Sequence, residues 1–342
     1  MNLLFTSVGR RSYLIRYFKE ALGKNGIIHA ANSDPRSPAF NFADEHVVTP
    51  IIYDGAYIEF LLEYCSRNDI NAVIPLFDVD LPVLSANKTL FENIGVRVVV
   101  SNEDTVAVCN DKWLTYLFCI RNNIGTPKTY LDIDEALSDL KKGTLSFPLV
   151  IKPRWGMGSI AVFEADDIYE LKVFYHKAEK IIASSYLKYE TRDRLNEGVL
   201  IQEKICGQEY GMDIINDLDG CYYTTIVKKK YAMRSGETDC AETVDNMLLK
   251  NFGRDLSFAL RHSANLDTDL FMVDEAPYLI DMNARFGGGY PFSHLAGVNL
   301  PLAIIRWLNN ERVTGKILKE RFGVMSSKSL EAVILSAGNE AL

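Results

Sequence analysis

Residues 278–285, Tyr-Leu-Ile-Asp-Met-Asn-Ala-Arg, run directly into Phe286 and the triple glycine Gly287-Gly288-Gly289. Side chains alternate along a strand, so Asp281, Asn283 and Arg285 share one face while Ile280, Met282 and Ala284 take the other. A carboxylate and an amide oxygen two positions apart suit a hard cation such as Mg²⁺, which takes oxygen ligands and completes its shell with phosphate oxygens. The stretch has the chemistry of a site for metal-bound phosphate, although a plain strand end before a glycine turn would carry the same residue types.

Other segments offer cations and backbone donors. Residues 147–153 read as an apolar strand ending in Lys152-Pro153, followed by Arg154-Trp155-Gly156-Met157-Gly158-Ser159. A lysine beside the N–H groups of a small-residue loop suits a polyphosphate, while a lone strand-end lysine is more often merely solvated. The same two readings stand for Lys112 at the start of its helix. No G-x-x-x-x-G-K-S/T run exists, so a P-loop is excluded. Residues 199–205 form another apolar strand with a charged end, Glu203-Lys204-Ile205, which as a hinge would offer its backbone to an adenine edge. Glu209 follows, within reach of ribose hydroxyls or simply a solvated turn residue. Cys240 has no His or Asn nearby in sequence, and no zinc spacing occurs, so neither thiol nor zinc chemistry is indicated.

The elements that must position these residues follow from periodicity. Apolar strands are expected at residues 3–8, 27–31, 72–76 and 96–100. Helices at 13–18, 57–68 and 81–93 alternate with them, which predicts a doubly wound parallel sheet. Only Gly9 punctuates the first turn, so the three-glycine dinucleotide fingerprint is absent and nicotinamide binding is not supported. From about residue 102 the pattern changes. A helix is expected over 109–122, and strands at 212–216 and 221–228 with a turn at Asp219-Gly220 read as antiparallel, giving α+β character. The polar run 188–197 reads as a surface helix or loop, and residues 332–335 as a possible small strand.

Composition bounds the function. The chain of 342 residues is 48% hydrophobic and 24% charged, with 37 Lys+Arg against 45 Asp+Glu and a net charge of −8. That balance offers no general attraction for nucleic acid or anionic lipid. Six scattered cysteines without a C-x-x-C pair, no signal-like start and no apolar run of membrane length lead us to expect a cytoplasmic protein.

The ordered set of Lys112, Lys152 with the glycine loop, Glu203 to Ile205, Glu209, Asp269, Asp281, Asn283 and Arg285 resembles the ATP-grasp superfamily. It is most similar to the branch of the carbamoyl-phosphate synthetase large subunit and the carboxylate-amine ligases. The resemblance implies a Rossmann-like pre-ATP-grasp domain (1–105), a first ATP-grasp lobe with a phosphate lid (106–200), a second lobe with the metal site (201–310) and an extension (311–342). It implies that Lys112, Lys152, Gly156, Gly158 and Ser159 meet the phosphates, that Glu203, Lys204 and Ile205 border the adenine, and that Glu209 takes the ribose. Asp281 and Asn283 would hold Mg²⁺, or Mn²⁺ in its place, with Asp269 as third ligand and Asp274 competing. Asp281 stands where many relatives have Glu. Arg285 and Arg234 would face the acceptor carboxylate. The activity implied is ADP-forming ligation of a small-molecule carboxylate to an amine, or to a thiol, through an acyl phosphate, by a protein that can form a homodimer. An ATP-binding regulatory subunit without turnover is the alternative.

Overall fold

The computed structural model describes residues 1–191, 194 and 197–335. Its first sheet contains β1 (Asn2–Thr6), β2 (Ile27–Asn32), β3 (Glu45–Val48), β4 (Ile70–Pro75) and β5 (Arg97–Val98), all parallel, in the order β3-β2-β1-β4-β5. The chain leaves β1 in one direction to β2 and β3, then returns to build β4 and β5 on its other side. The carboxyl ends of β1 and β4 therefore flank a topological switch point, where such sheets open a crevice. Strand β3 was not expected: it is a short edge strand with three of its four residues exposed, and carries no apolar run to signal it. The helix expected over 81–93 is two helices, Asp80–Ala86 and Lys88–Glu92. Between them the Asn87 side chain donates to the Val83 carbonyl.

The second sheet holds β6 (Thr129–Tyr130), β7 (Leu149–Pro153), β8 (Phe163–Ala165) and β9 (Val199–Glu203), antiparallel, in the order β6-β9-β7-β8. The third holds β10 (Gln208–Asn216), β11 (Tyr222–Arg234), β12 (Glu237–Thr243), β13 (Asn265–Val273), β14 (Ala276–Asn283) and β15 (Met325–Ser327), in the order β14-β13-β10-β11-β12-β15. Strands β10 and β11 are longer than the sequence indicated, running on to Gln208 and Arg234. The small strand sought at residues 332–335 is absent, and 325–327 take that role by pairing with β12. Within the run 188–197, Leu187–Thr191 is helical and four residues lie outside the described set, as do residues 336–342 of the expected extension.

The helix expected over 109–122 is also two, Glu103–Asn110 and Lys112–Arg121, separated at Asp111. The Asp111 carboxylate caps the second helix by accepting from the N–H groups of Trp113 and Leu114. Behind the site, Phe286 joins the core of the parallel sheet, with rings at 5.7 Å from Phe18 and 4.8 Å from Tyr290. The first and third sheets thus share one packed interior. No helix among the described residues is long and apolar enough to cross a membrane.

Candidate active site

Antiparallel pairing of β13 with β14 sets Asp267 opposite Asn283 and Asp269 opposite Asp281. Directly opposed side chains lie close enough for two carboxylates to repel unless a cation joins them. Asp281 Oδ1 is buried with no hydrogen-bond partner, and Lys112 Nζ approaches it at 3.8 Å. A buried, unsatisfied carboxylate oxygen is costly, and its combination with Asp269 and the Asn283 amide fits a hard divalent cation that keeps phosphate or water oxygens in its shell. Asp269 is not free in the same way: Lys230 Nζ binds it at 2.6 Å. Burial pushes the Asp269 carboxyl up to about 6, with Lys230 opposing and Asp267 adding to the shift. Asp274 sits in the β13–β14 turn at the opposite end of the strands and is displaced from this set by geometry.

Lys112 and Lys152 face the same gap, Lys152 from β7 of the second sheet and Lys112 from the start of a helix that packs against β14 of the third. Lys152, 7% exposed, donates to Gln202 Oε1 at 2.8 Å, and Gln202 is itself held by Thr129. Its partner is a neutral amide, so burial lowers the ammonium pKa to about 8, with Lys112 adding to the fall and Asp281 opposing it. Lys112 Nζ donates to the Gly156 carbonyl at 2.6 Å, tying the helix start to the glycine loop. Arg154, fully buried, grips Asp111 bidentately at 2.7 and 2.8 Å and reaches Glu197 at 2.6 Å. The residue that caps the Lys112 helix thus also anchors the loop's first residue. Beyond it, Gly156, Gly158 and Ser159 all have positive φ. The loop leans on the β11–β12 turn, where a Cβ on Gly236 would meet Ser159 Oγ at 2.5 Å.

The expected adenine and ribose residues are more engaged. Glu203 accepts from the Lys128 backbone N–H, and Lys204 pairs with Glu164 on β8. Ile205 follows in the link to β10; all three lie at the end of β9, outside the large cavity described below. Glu209 is bound by Lys230 at 2.9 Å, the lysine that also holds Asp269. Sequence reading missed Lys230; its signal was Lys228 and Lys230 at alternate positions of an apolar strand, both buried in the structure.

A cavity of about 300 Å³ opens beside the Asp281–Asn283 face, walled by residues 7–11 after β1, Phe77, Met157 and Gly158, Glu237 and Thr238, and Asp281, Asn283 and Arg285. Arg285 is not the open guanidinium expected. Asp78 accepts from it at 2.8 and 3.1 Å, Asp267 at 3.0 Å and the Phe286 carbonyl at 3.3 Å. Burial opposes its charge, but the two carboxylates outweigh burial and raise its pKa. Arg234 is off the cavity wall, half exposed and paired with Asp239 at 2.7 Å in its own hairpin. The triple glycine serves close approach: a Cβ on Gly287 would sit 2.0–2.3 Å from the Asp267 carboxylate, and one on Gly288 would sit 3.0 Å from Glu237.

Comparisons with known proteins bear on this arrangement of sheets, in which Asp269, Asp281 and Asn283 lie near Lys112 and Lys152. Residues 3–99 match the family of PylC-like N-terminal domains, and residues 196–329 match the family described as ATP-grasp in the biosynthetic pathway with Ter operon. The chain is 24% identical over 314 residues to a carbamoyl-phosphate synthase of Methanobrevibacter smithii, covering 87% of this chain and 78% of that one. It is 29% identical over 139 residues to the alpha-aminoadipate–LysW ligase LysX of Saccharolobus solfataricus, a match spanning 41% of this chain and 46% of LysX. Among solved structures, the biotin carboxylase domain of Hydrogenobacter thermophilus 2-oxoglutarate carboxylase, in complex with MgADP, ADP and bicarbonate, superposes with a TM-score of 0.69. That likeness covers 91% of this chain and 70% of the other at 17% identity, and shows the fold. By these matches the chain carries a PylC-like N-terminal domain and an ATP-grasp domain.

Proposed function

We propose that this chain phosphorylates a small-molecule carboxylate with ATP and joins the resulting acyl group to an amine. A carboxylate oxygen attacks the γ-phosphorus, the bond to the β-phosphate oxygen breaks, and ADP leaves. The amine nitrogen then attacks the acyl carbon, phosphate departs with the bonding electrons, and the nitrogen loses a proton. The observation that carries the reading is the orphaned Asp281 Oδ1, buried on a face shared with Asp269 and Asn283 and 3.8 Å from Lys112 Nζ. Mg²⁺ held by Asp269, Asp281 and Asn283 would neutralise charge on the phosphoryl oxygens.

The chain's own residues supply the rest. Lys152, buried and bound only to a neutral amide, gains a charged partner when a phosphate arrives. Lys112 exchanges the Gly156 carbonyl for a phosphate oxygen, and the Gly156 to Ser159 loop closes over it, excluding water that would hydrolyse an acyl phosphate. We assign residues 1–105, 106–200 and 201–310 to the N-terminal domain and the two ATP-clasping lobes, and place the adenine against residues 203–205. Phosphoryl transfer of this kind needs no side-chain nucleophile. The relatives named above are likewise called ligases and synthases.

The test is nucleotide product analysis with purified protein, Mg-ATP and pooled amino acids, hydroxy acids and bicarbonate. ADP and phosphate formed only with a particular pool are expected. AMP and pyrophosphate would overturn phosphoryl transfer to a carboxylate.

A further inference from the structure

The charges around the 300 Å³ cavity are unevenly satisfied. Arg285 spends four hydrogen bonds on Asp78, Asp267 and Phe286. Asp269 has Lys230, and Glu237 has Lys328 at 2.7 Å. Burial alone would raise the Glu237 carboxyl, but Lys328, Arg11 and Arg285 outweigh it and hold it below the usual range. Two guanidiniums on the wall remain. Arg10 forms no ion pair or hydrogen bond through its side chain among the described residues, and Arg11 donates only to the Phe286 carbonyl, a neutral acceptor.

Both arginines come from the segment after β1, at the switch point between β1 and β4. The segment is firmly held. Ser7 takes φ +51, a conformation disfavoured for a residue with a side chain, and its hydroxyl donates to Asp80 at 2.8 Å. The Gly9 N–H donates to Asn32 Oδ1 at 3.2 Å, and the Gly9 carbonyl accepts from the Ser37 hydroxyl at 2.8 Å. A rigid segment that presents two guanidiniums with no carboxylate bound to either, Glu237 being near enough to feel the charge of Arg11, is suited to bidentate recognition of an anion.

We propose that Arg10 and Arg11, rather than Arg285, form the anion-recognition wall of the acceptor site, and that the acceptor presents a carboxylate or phosphate group to them. Arg285 instead holds Asp78 and Asp267 together across the junction of the first and third sheets. The inference rests on the nucleotide and metal reading above, which gives the opposite wall to Mg-ATP and leaves this one to the acceptor.

The test is calorimetric titration of the full chain, loaded with Mg-ADP, with succinate and separately with inorganic phosphate. It is repeated for Arg10→Ala, Arg11→Gln and Arg11→Lys, with Mg-ADP affinity and melting temperature measured in parallel. Arg10 is exposed, so its variant keeps the fold even if an Arg11 variant loses it. Saturable binding of at least one anion is expected, weakened by about tenfold or more in Arg10→Ala and Arg11→Gln, less in Arg11→Lys, with Mg-ADP affinity unchanged. The anion that binds tighter identifies the group as carboxylate or phosphate. Binding equal in wild type and both Arg10→Ala and Arg11→Gln, no saturable binding of either anion, or an equal loss of Mg-ADP affinity would overturn the proposal. Mg-ADP binding that persists while anion recognition fails isolates the fault to this wall, whereas absence of Mg-ADP binding sinks the ligase reading with it.

Discussion

Among single residues, Asp281, Arg285 and Lys152 play different parts. Asp281 Oδ1 is unsatisfied, so Asp281→Ala removes a buried charge without stranding a partner in a close pair. It is expected to abolish Mg²⁺-dependent turnover while the melting temperature stays within a few degrees of wild type. Arg285→Ala strands Asp78 and Asp267 together, and breaking a buried pair costs about 3–5 kcal/mol. Chemical denaturation distinguishes the two, and a fully stable Arg285→Ala would contradict the ion-pair account. Lys152 carries a pH signature. Its folded pKa of about 8 lies below the ordinary 10.5, so the unfolded chain binds more protons between those values and the contribution of Lys152 to stability rises with pH across that window. A bound phosphate raises that pKa again. Nucleotide binding should then take up a proton near pH 8 and weaken above it, measurable by calorimetry in buffers of differing ionisation enthalpy, and lost in Lys152→Met.

At the scale of elements, the lobes are positioned by contacts that the sequence disguised. Asp111 lies within the single helix expected over 109–122, yet it ends one helix, caps the next and receives Arg154. Asp111→Ala should lose about 1 kcal/mol as a cap and a further 3–5 kcal/mol by unpairing Arg154, with a matching loss of nucleotide affinity because Lys112 and the loop are set by the same residue. A variant as stable as wild type would mean that Arg154 finds another partner. The strand from Tyr278 was legible from the alternation of Asp281, Asn283 and Arg285 with Met282 and Ala284, but a bulge at Ile280 puts Leu279 in the core in its place. Arg234 misled because a hairpin arginine and an active-site arginine look alike until Asp239 is seen beside it. Lys230 and Asp78 were hidden because their partners, Asp269 and Arg285, lie 39 and 207 positions away in the chain.

At the scale of the whole molecule, the parallel sheet is part of the site rather than an appendage. Phe286, directly after Arg285, packs with Phe18 in the core of that sheet, while Arg11 reaches back to the Phe286 carbonyl. Phe286→Ala should cost about 3–5 kcal/mol as a core truncation and weaken acceptor binding more than nucleotide binding, since the arginine wall would lose its register against the third sheet. The strand alternation in the first hundred residues foretold the sheet itself. Its role in the site was not legible, because nothing local in Arg10-Arg11 says that they will meet residues almost three hundred positions later.

On the proposed reading, the gap between the second and third sheets binds a nucleotide through a metal held on β13 and β14. Calorimetric titration of ADP with and without Mg²⁺, into wild type and Asp281→Ala, tests it most directly. The account predicts that Mg²⁺ tightens ADP binding to wild type by about tenfold or more, roughly 1.4 kcal/mol, and that Asp281→Ala binds ADP equally with or without it. A metal dependence that survives intact in Asp281→Ala would contradict the assignment.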